Sequence, residues 1–386
     1  MAAGLVRTGL DVVASGGHPA LAGRLGLVTH QAAVARDLRH SLDVLRGAGY
    51  DVRAVFGPQH GIWGHTQDNM IEWEGYRDPR TGLPFYSLYG QTREPQPAWM
   101  AGLDRLVIDL VDVGCRVYTF VWTMALCLRV AERLGVAVTV LDRPNPISGA
   151  EEGPDLDPAF ASFVGLHPLP MRHGRTIGEI AQWLVTEFYP GVSLTVVPCD
   201  GWKRWQWHDE TGLPWVSPSP NMPSLATATV YPGMVLLEGT NLSEGRGTTR
   251  PFETVGAPWL DPWRFANLLS EQDLPGVHFR PVTFQPTFQK HAGEVCGGVF
   301  CHVTDRETFR PVETAVRVIG VARELGGDMF GFKDPPYEYE EETAPLDILW
   351  GGPSLREELT VGKTPGKSLA MCRDFLSNVP KMTAYE

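Results

Sequence analysis

RLVIDLVDVGCRVYTFVWTMALCLRVAERLGVAVTVL, residues Arg105 to Leu141, decides the architecture. Arg105 to Leu110 is a short apolar run that predicts a strand. Thr119 to Leu134 predicts a helix, and Val136 to Leu141 a second strand. Strand, helix, strand in that order predicts parallel strands with a right-handed crossover. The same plan appears upstream. Arg24 to Thr29 (RLGLVT) reads as a strand and Asp51 to Phe56 as another. Between them, Asp37 to Ala48 places Leu38, Leu42, Val44 and Leu45 toward one helical face, with Gly49 as the C-cap. A helix at Thr176 to Phe188 and a strand at Ser193 to Cys199 complete this first domain.

The Pro-rich stretch PWVSPSPNMP, Pro214 to Pro223, reads as a rigid passage between domains. Beyond Tyr231 the pattern turns to α+β. Helices are expected at Asp261 to Ser270 and Val312 to Glu324, and strands near Val277 to Phe284 and Gly298 to Thr304. The expectation is a parallel α/β domain over residues 1–228 and a smaller α+β domain over 229–386. A chain of 386 residues suits two domains better than one core.

The formal net charge of -12 argues against a nucleic-acid surface, which needs clustered Lys and Arg, and against anionic membranes. Met1 to Ser15 carries Arg7 and Asp11 and reads as neither signal peptide nor anchor; no uncharged run is long enough to span a bilayer. Six cysteines without C-x-x-C or zinc-ligand spacing read as buried free thiols. The expected place is the cytoplasm and the expected partner a small molecule, with neither metal nor organic cofactor. Dinucleotide, Walker, H-E-x-x-H and G-x-S-x-G patterns are all missing. SEGRGTT, Ser243 to Thr249, reads as a tight turn ahead of an anion cradle.

In an open parallel sheet the ligand lies beyond the carboxyl ends of the strands. That rule selects His30-Gln31, Gly57 to Leu83, Asp109 to Tyr118 and Asp142 to Gly153. Within the second, GPQHGIWGHTQDNMIEWE interleaves Trp63 and Trp73 with Gln59, His60, His65, Asp68, Glu72 and Glu74. Aromatic faces beside carboxylates and amides suit a sugar, whose C–H face stacks while its hydroxyls bond. A solvated lid over buried tryptophans is the competing reading. Asp109, Asp112, Arg116 and Tyr118 follow the next strand, with a structural ion pair as the alternative to a site. Asp142, Arg143 and Asn145 leave the one after, in a loop stiffened by two prolines. His173, Glu238, Asn241, Glu244, Arg246 and Arg250 complete the polar inventory, the latter group facing the crevice from the second domain.

These segments together resemble the NamZ-type exo-β-N-acetylmuramidases. The matching stretches are FGPQHG (Phe56 to Gly61), TGLPFYSLYG (Thr81 to Gly90), DLVDVGCRVYT (Asp109 to Thr119), LDRPNP (Leu141 to Pro146), RHGRTIGE (Arg172 to Glu179), SPNMP (Ser219 to Pro223, with Asn221) and EGTNLSEGRGTTRPFE (Glu238 to Glu253). The resemblance implies release of terminal N-acetylmuramic acid from peptidoglycan fragments in cell-wall turnover and recycling. It also implies a Rossmann-like first domain, a smaller second one and a cleft between them. It further implies a catalytic glutamate in F-x-P-E-H-G, where this chain has Gln59.

An amide cannot give or take the proton, so another acid must serve if the chain hydrolyses glycosides. The expected acid is Glu72, raised by its apolar neighbours Met70, Ile71 and Trp73, with Glu74 and Asp68 as further candidates. Asp112, or Asp109, is expected to stay ionised as its partner. His60, Arg116, Asn145 and Arg246 are expected to hold hydroxyls, the N-acetyl group or the lactyl carboxylate, and Gln59, Asp109, Tyr118, Asp142, Arg143, His173, Asn221, Glu238, Asn241 and Glu244 to line the site. Two rivals stay open: a non-catalytic muropeptide-binding protein, and a hydrolase of another class with His60 as base.

Overall fold

The computed structural model describes residues 5–68, 70–362, 365–372 and 381–386. Its main sheet has seven strands: β1 (Arg24–Thr29), β2 (Asp51–Gly57), β3 (Tyr76–Arg77), β4 (Pro84–Ser87), β5 (Arg105–Asp109), β6 (Ala137–Leu141) and β7 (Leu194–Val197). Their order is β3-β4-β2-β1-β5-β6-β7, and only the short β3 runs antiparallel. The six parallel strands wind outward from β1 in both directions, which is the doubly wound Rossmann order. That order reverses between β1 and β5, so a crevice opens beyond Thr29 and Asp109.

The apolar runs form strands because helices cover both faces of the sheet. Every β1 residue after Arg24 is buried, as expected for a central parallel strand. Helix Phe120–Leu134 ends at Gly135, whose left-handed φ of 66° lets its N–H bond back to the last turn. Helix Ile177–Glu187 begins with a capping box made by Thr176 and Glu179.

One expected helix is shorter. It starts at Ser41, not Asp37, because His40 accepts the Leu42 N–H as its N-cap. Leu38 sits before it in a left-handed conformation with 59% of its surface exposed, so it is no part of the buried face.

The second sheet is antiparallel, in the order β8-β10-β9, from β8 (Thr254–Ala257), β9 (Val277–Phe284) and β10 (Cys296–Val303). Helices Pro262–Ser270 and Pro311–Gly326 pack beside it. Helix Leu225–Met234 escaped the sequence reading because Pro232 and Gly233 interrupt its pattern. Gly233 is required there: a Cβ would stand 1.8 Å from the Pro311 carbonyl oxygen, where the two helices cross. Tyr385 packs on Trp202 of the first domain, donates to Asp142 and accepts from the Cys199 N–H. Three short helices between Pro345 and Met371, also unforeseen, close the second domain.

Arg116 joins the two halves. Its guanidinium donates to the carbonyls of Pro154 and Leu169 in one and of Leu349 and Trp350 in the other, all at 2.7–3.0 Å. Among the described residues no helix is long and apolar enough to cross a membrane.

Candidate active site

The carboxyl ends of β2 and β5 meet the second domain at a recess lined by residues of both domains. Gln59 stands just past β2, where its amide oxygen accepts from Thr119 at 2.8 Å. Its Nε2 donates to the Tyr89 hydroxyl at 3.1 Å and to Glu338 Oε1 at 3.4 Å. Tyr89 in turn donates to Glu338 Oε2 at 2.7 Å. Gln59, Tyr89 and Thr119 come from the first domain and Glu338 from the second.

Glu338 lies in a strap, Tyr337 to Glu340, closed by reciprocal backbone bonds between its ends. Glu338 and Tyr339 both have positive φ, as do His60 and Phe252 across the recess. Such backbone costs energy in non-glycine residues and gathers at functional sites. Burial pushes the Glu338 carboxyl up to about 7; the Tyr89 hydroxyl opposes this, while the charge of Glu238 adds to it.

Glu238 enters from the short helical turn Val235–Gly239. It accepts from Arg246 Nη2 and from the Tyr337 hydroxyl, each at 2.7 Å. Arg246 also pairs with Glu244 at 3.4 Å, and Lys290 with Glu244 at 2.7 Å. Burial pulls the Arg246 guanidinium down, but Glu238 and Glu244 outweigh it and hold it above its ordinary value. His60 is held at about 4 by burial, with Nδ1 2.8 Å from the Thr66 carbonyl, and is neutral at pH 7. Tyr118, Phe120, Tyr231 and Phe252 supply aromatic walls, and Asn221 lines the rim, donating to the Gln67 carbonyl at 2.9 Å.

Of the residues singled out in the sequence, Gln59, His60, Tyr118, Asn221, Glu238 and Arg246 line this recess. Glu72 and Glu74 do not. Glu72 is half exposed and pairs with Arg93 at 3.1 Å, and its apolar neighbours Met70 and Ile71 are themselves exposed. Glu74 is exposed too, and both carboxylates line a separate groove. Asp68, another candidate acid, is held by Gln289 at 2.6 Å.

Asp112 is no recess carboxylate either. It accepts from the Gly114 N–H at 2.6 Å and pairs with His173 Nε2 at 3.0 Å. Asp109 is fully buried in a two-bond pair with Arg143, at 2.6 and 2.9 Å. Asp142 accepts from Tyr385, Thr176 and the Gly178 N–H, while Asn145 bonds Arg175 and Ile147 backbone groups. Arg116 is consumed by its four carbonyls, and Asn241 by Met329 and Gly331. Glu244 sits one residue layer back, behind Arg246. These side chains brace the crevice rather than face it. SEGRGTT is a turn, in which the Thr248 N–H returns to the Gly245 carbonyl and Arg246 is projected inward.

Sequence reasoning missed Glu338, Tyr337 and Tyr89. PPYEYEEET reads as an acidic surface loop, and the alternation of its tyrosines and glutamates was the one available signal.

A doubly wound α/β domain that shares a carboxyl-bearing recess with a smaller α+β domain defines the class of protein. The chain belongs to the NamZ family: residues 25–226 match the description "Exo-beta-N-acetylmuramidase NamZ, N-terminal" and residues 229–383 its C-terminal counterpart. It is 46% identical over 330 residues to the peptidoglycan beta-N-acetylmuramidase NamZ of Bacillus subtilis (strain 168), covering 85% of this chain and 80% of that one. Two crystal structures of DUF1343 family proteins from Bacteroides fragilis share the fold. One superposes with a TM-score of 0.80 at 31% identity, covering 92% of this chain and 91% of the other. The second gives 0.72 at 25%, covering 95% and 94%.

Proposed function

We propose that this protein is a glycoside hydrolase that releases terminal N-acetylmuramic acid from peptidoglycan fragments, with Glu338 as general acid and Glu238 as the charged partner. The observation that carries the reading is the pair of carboxyls in one recess with opposed surroundings. Glu338 is buried against Tyr89 and titrates at about 7, while Glu238 is ion-paired with Arg246. A buried carboxyl suits the role of acid and an ion-paired one that of charged partner.

Glu338 gives its proton to the glycosidic oxygen as the bond to the anomeric carbon breaks. Glu238 then faces the positive charge that develops on the ring, steers the attacking water and takes its proton as the new C–O bond forms. Two carboxyls and water suffice for that chemistry. Gln59 takes no proton; through Thr119 and Tyr89 it fixes the Glu338 carboxyl. Arg246 uses Nη2 and Nε on glutamates, leaving Nη1 for the lactyl carboxylate. The aromatic walls take the C–H face of the pyranose. The six free, buried cysteines fit a cytoplasmic role in wall recycling.

The test is release of chromophore from aryl β-glycosides of N-acetylmuramic acid and N-acetylglucosamine. Hydrolysis of the first alone is expected, with Glu338→Gln slower by about 10²–10⁴-fold. Loss in Glu72→Gln with Glu338→Gln fully active overturns the assignment.

A further inference from the structure

Beside the recess, a separate groove of about 710 Å³ runs along the β3–β4 edge of the sheet. Its wall is Tyr86 stacked on Trp99, with ring centres 4.7 Å apart and planes 9° from parallel. Glu72, Glu74, Gln91 and Gln96 stand along it.

Tyr89 links the two cavities. Its ring is covered by the Arg93 guanidinium at 4.3 Å, and Arg93 carries Glu72 on the groove side. Its hydroxyl carries Glu338 on the recess side. The Trp73 N–H bonds the Tyr89 carbonyl, and Trp73 is itself part of the groove. A chain of contacts, Glu72–Arg93–Tyr89–Glu338, therefore runs from the groove to the recess.

We propose that this groove binds the N-acetylhexosamine residues on the leaving-group side of the scissile bond. The proposal rests on the glycosidase reading of the recess. A flat aromatic wall flanked by carboxylates and amides matches pyranose rings, which present a C–H face and equatorial hydroxyls. At about 710 Å³ the groove lies within the range of small-molecule sites. A peptide is the poorer fit. Adding a strand needs a run of free backbone groups, and the edge strand β3 is two residues long.

Two measurements on the full chain test this. Calorimetric titration with a β-1,4-linked N-acetylglucosamine tetramer should show binding by the wild type, weakened at least tenfold in Trp99→Ala and measurably in Glu74→Gln, an exposed position that leaves the fold alone. In parallel, kcat/KM for a muramyl oligosaccharide relative to an aryl β-N-acetylmuramide should fall about tenfold in both variants. Equal tetramer binding by wild type and variants, no binding at all, or binding of a free stem peptide in its place overturns the groove. Absence of hydrolysis with tetramer binding intact refutes the recess alone and leaves the groove standing.

Discussion

The Gln59 side-chain amide donates to Glu338 Oε1 at 3.4 Å, so the residue that replaces an expected glutamate touches the buried acid of the other domain. Changing Gln59→Glu puts a second carboxyl at that contact. Two carboxylates so close cannot both ionise freely; they share a proton and titrate as a pair in two macroscopic steps. The alkaline limb of the pH–rate profile, expected near 7 from the raised Glu338 carboxyl, should move up by about one pH unit or more. An unmoved limb would mean that the two side chains do not meet in solution.

Tyr89 tunes the same acid. Its hydroxyl donates to Glu338 Oε2 and so favours the ionised carboxylate, lowering the value that burial raises. Tyr89→Phe removes that donor, and Glu338 should climb further above about 7. A general acid works in its protonated form. The fall in kcat/KM with rising pH therefore shifts to higher pH in the variant. Profiles of kcat/KM against pH decide the matter, and a shift to lower pH contradicts the bond.

How much of this was legible in the sequence depends on where the determinants lie. β1, β5 and β6 are buried along most of their length, so each shows as a mostly apolar run. The residues just past β2 and β5 to which the strand order pointed, Gln59, His60 and Tyr118, line the recess. Glu72 was misread because sequence neighbours were taken for spatial ones. In the extended segment around it Trp73 points inward with 6% of its surface exposed, so Glu72 and Glu74 on either side must point out. Glu338 was invisible for the opposite reason. It meets Gln59 across 279 positions of chain, through a strap with two left-handed residues that no periodicity announces.

Glu152 couples the domains in a pH-dependent way. Its Oε1 accepts the Glu313 N–H at 2.8 Å, at the first turn of helix Pro311–Gly326. Burial pushes this carboxyl up to about 7, against the lowering effects of the Glu313 bond and Arg172. The folded state thus keeps a proton that the unfolded state releases above its ordinary carboxylate range. The sign follows: the contribution is fully present below about 4.5 and is lost as pH rises through about 7. The loss is on the order of 3 kcal/mol. Glu152→Gln keeps the acceptor and cannot ionise. Subtracting its urea-unfolding free energy from that of the wild type at each pH should give a curve that falls between those limits, and a flat difference refutes the assignment.

Arg116 makes the strongest single claim on stability. Both terminal nitrogens are spent on four carbonyls, two in each domain, and burial pulls the guanidinium down to about 10. Replacing it with methionine fills much of the space but leaves four buried acceptors without donors. Each such orphan costs about 1–3 kcal/mol, so a loss of 3 kcal/mol or more is expected. Lysine should recover little, because one ammonium has three donors and cannot span the planar fork. Since the carbonyls belong to both domains, the loss falls on their docking: unfolding of Arg116→Met followed by near-UV dichroism should separate into two transitions where the wild type shows one. A single transition of unchanged midpoint would show that these four bonds contribute nothing to holding the recess walls together.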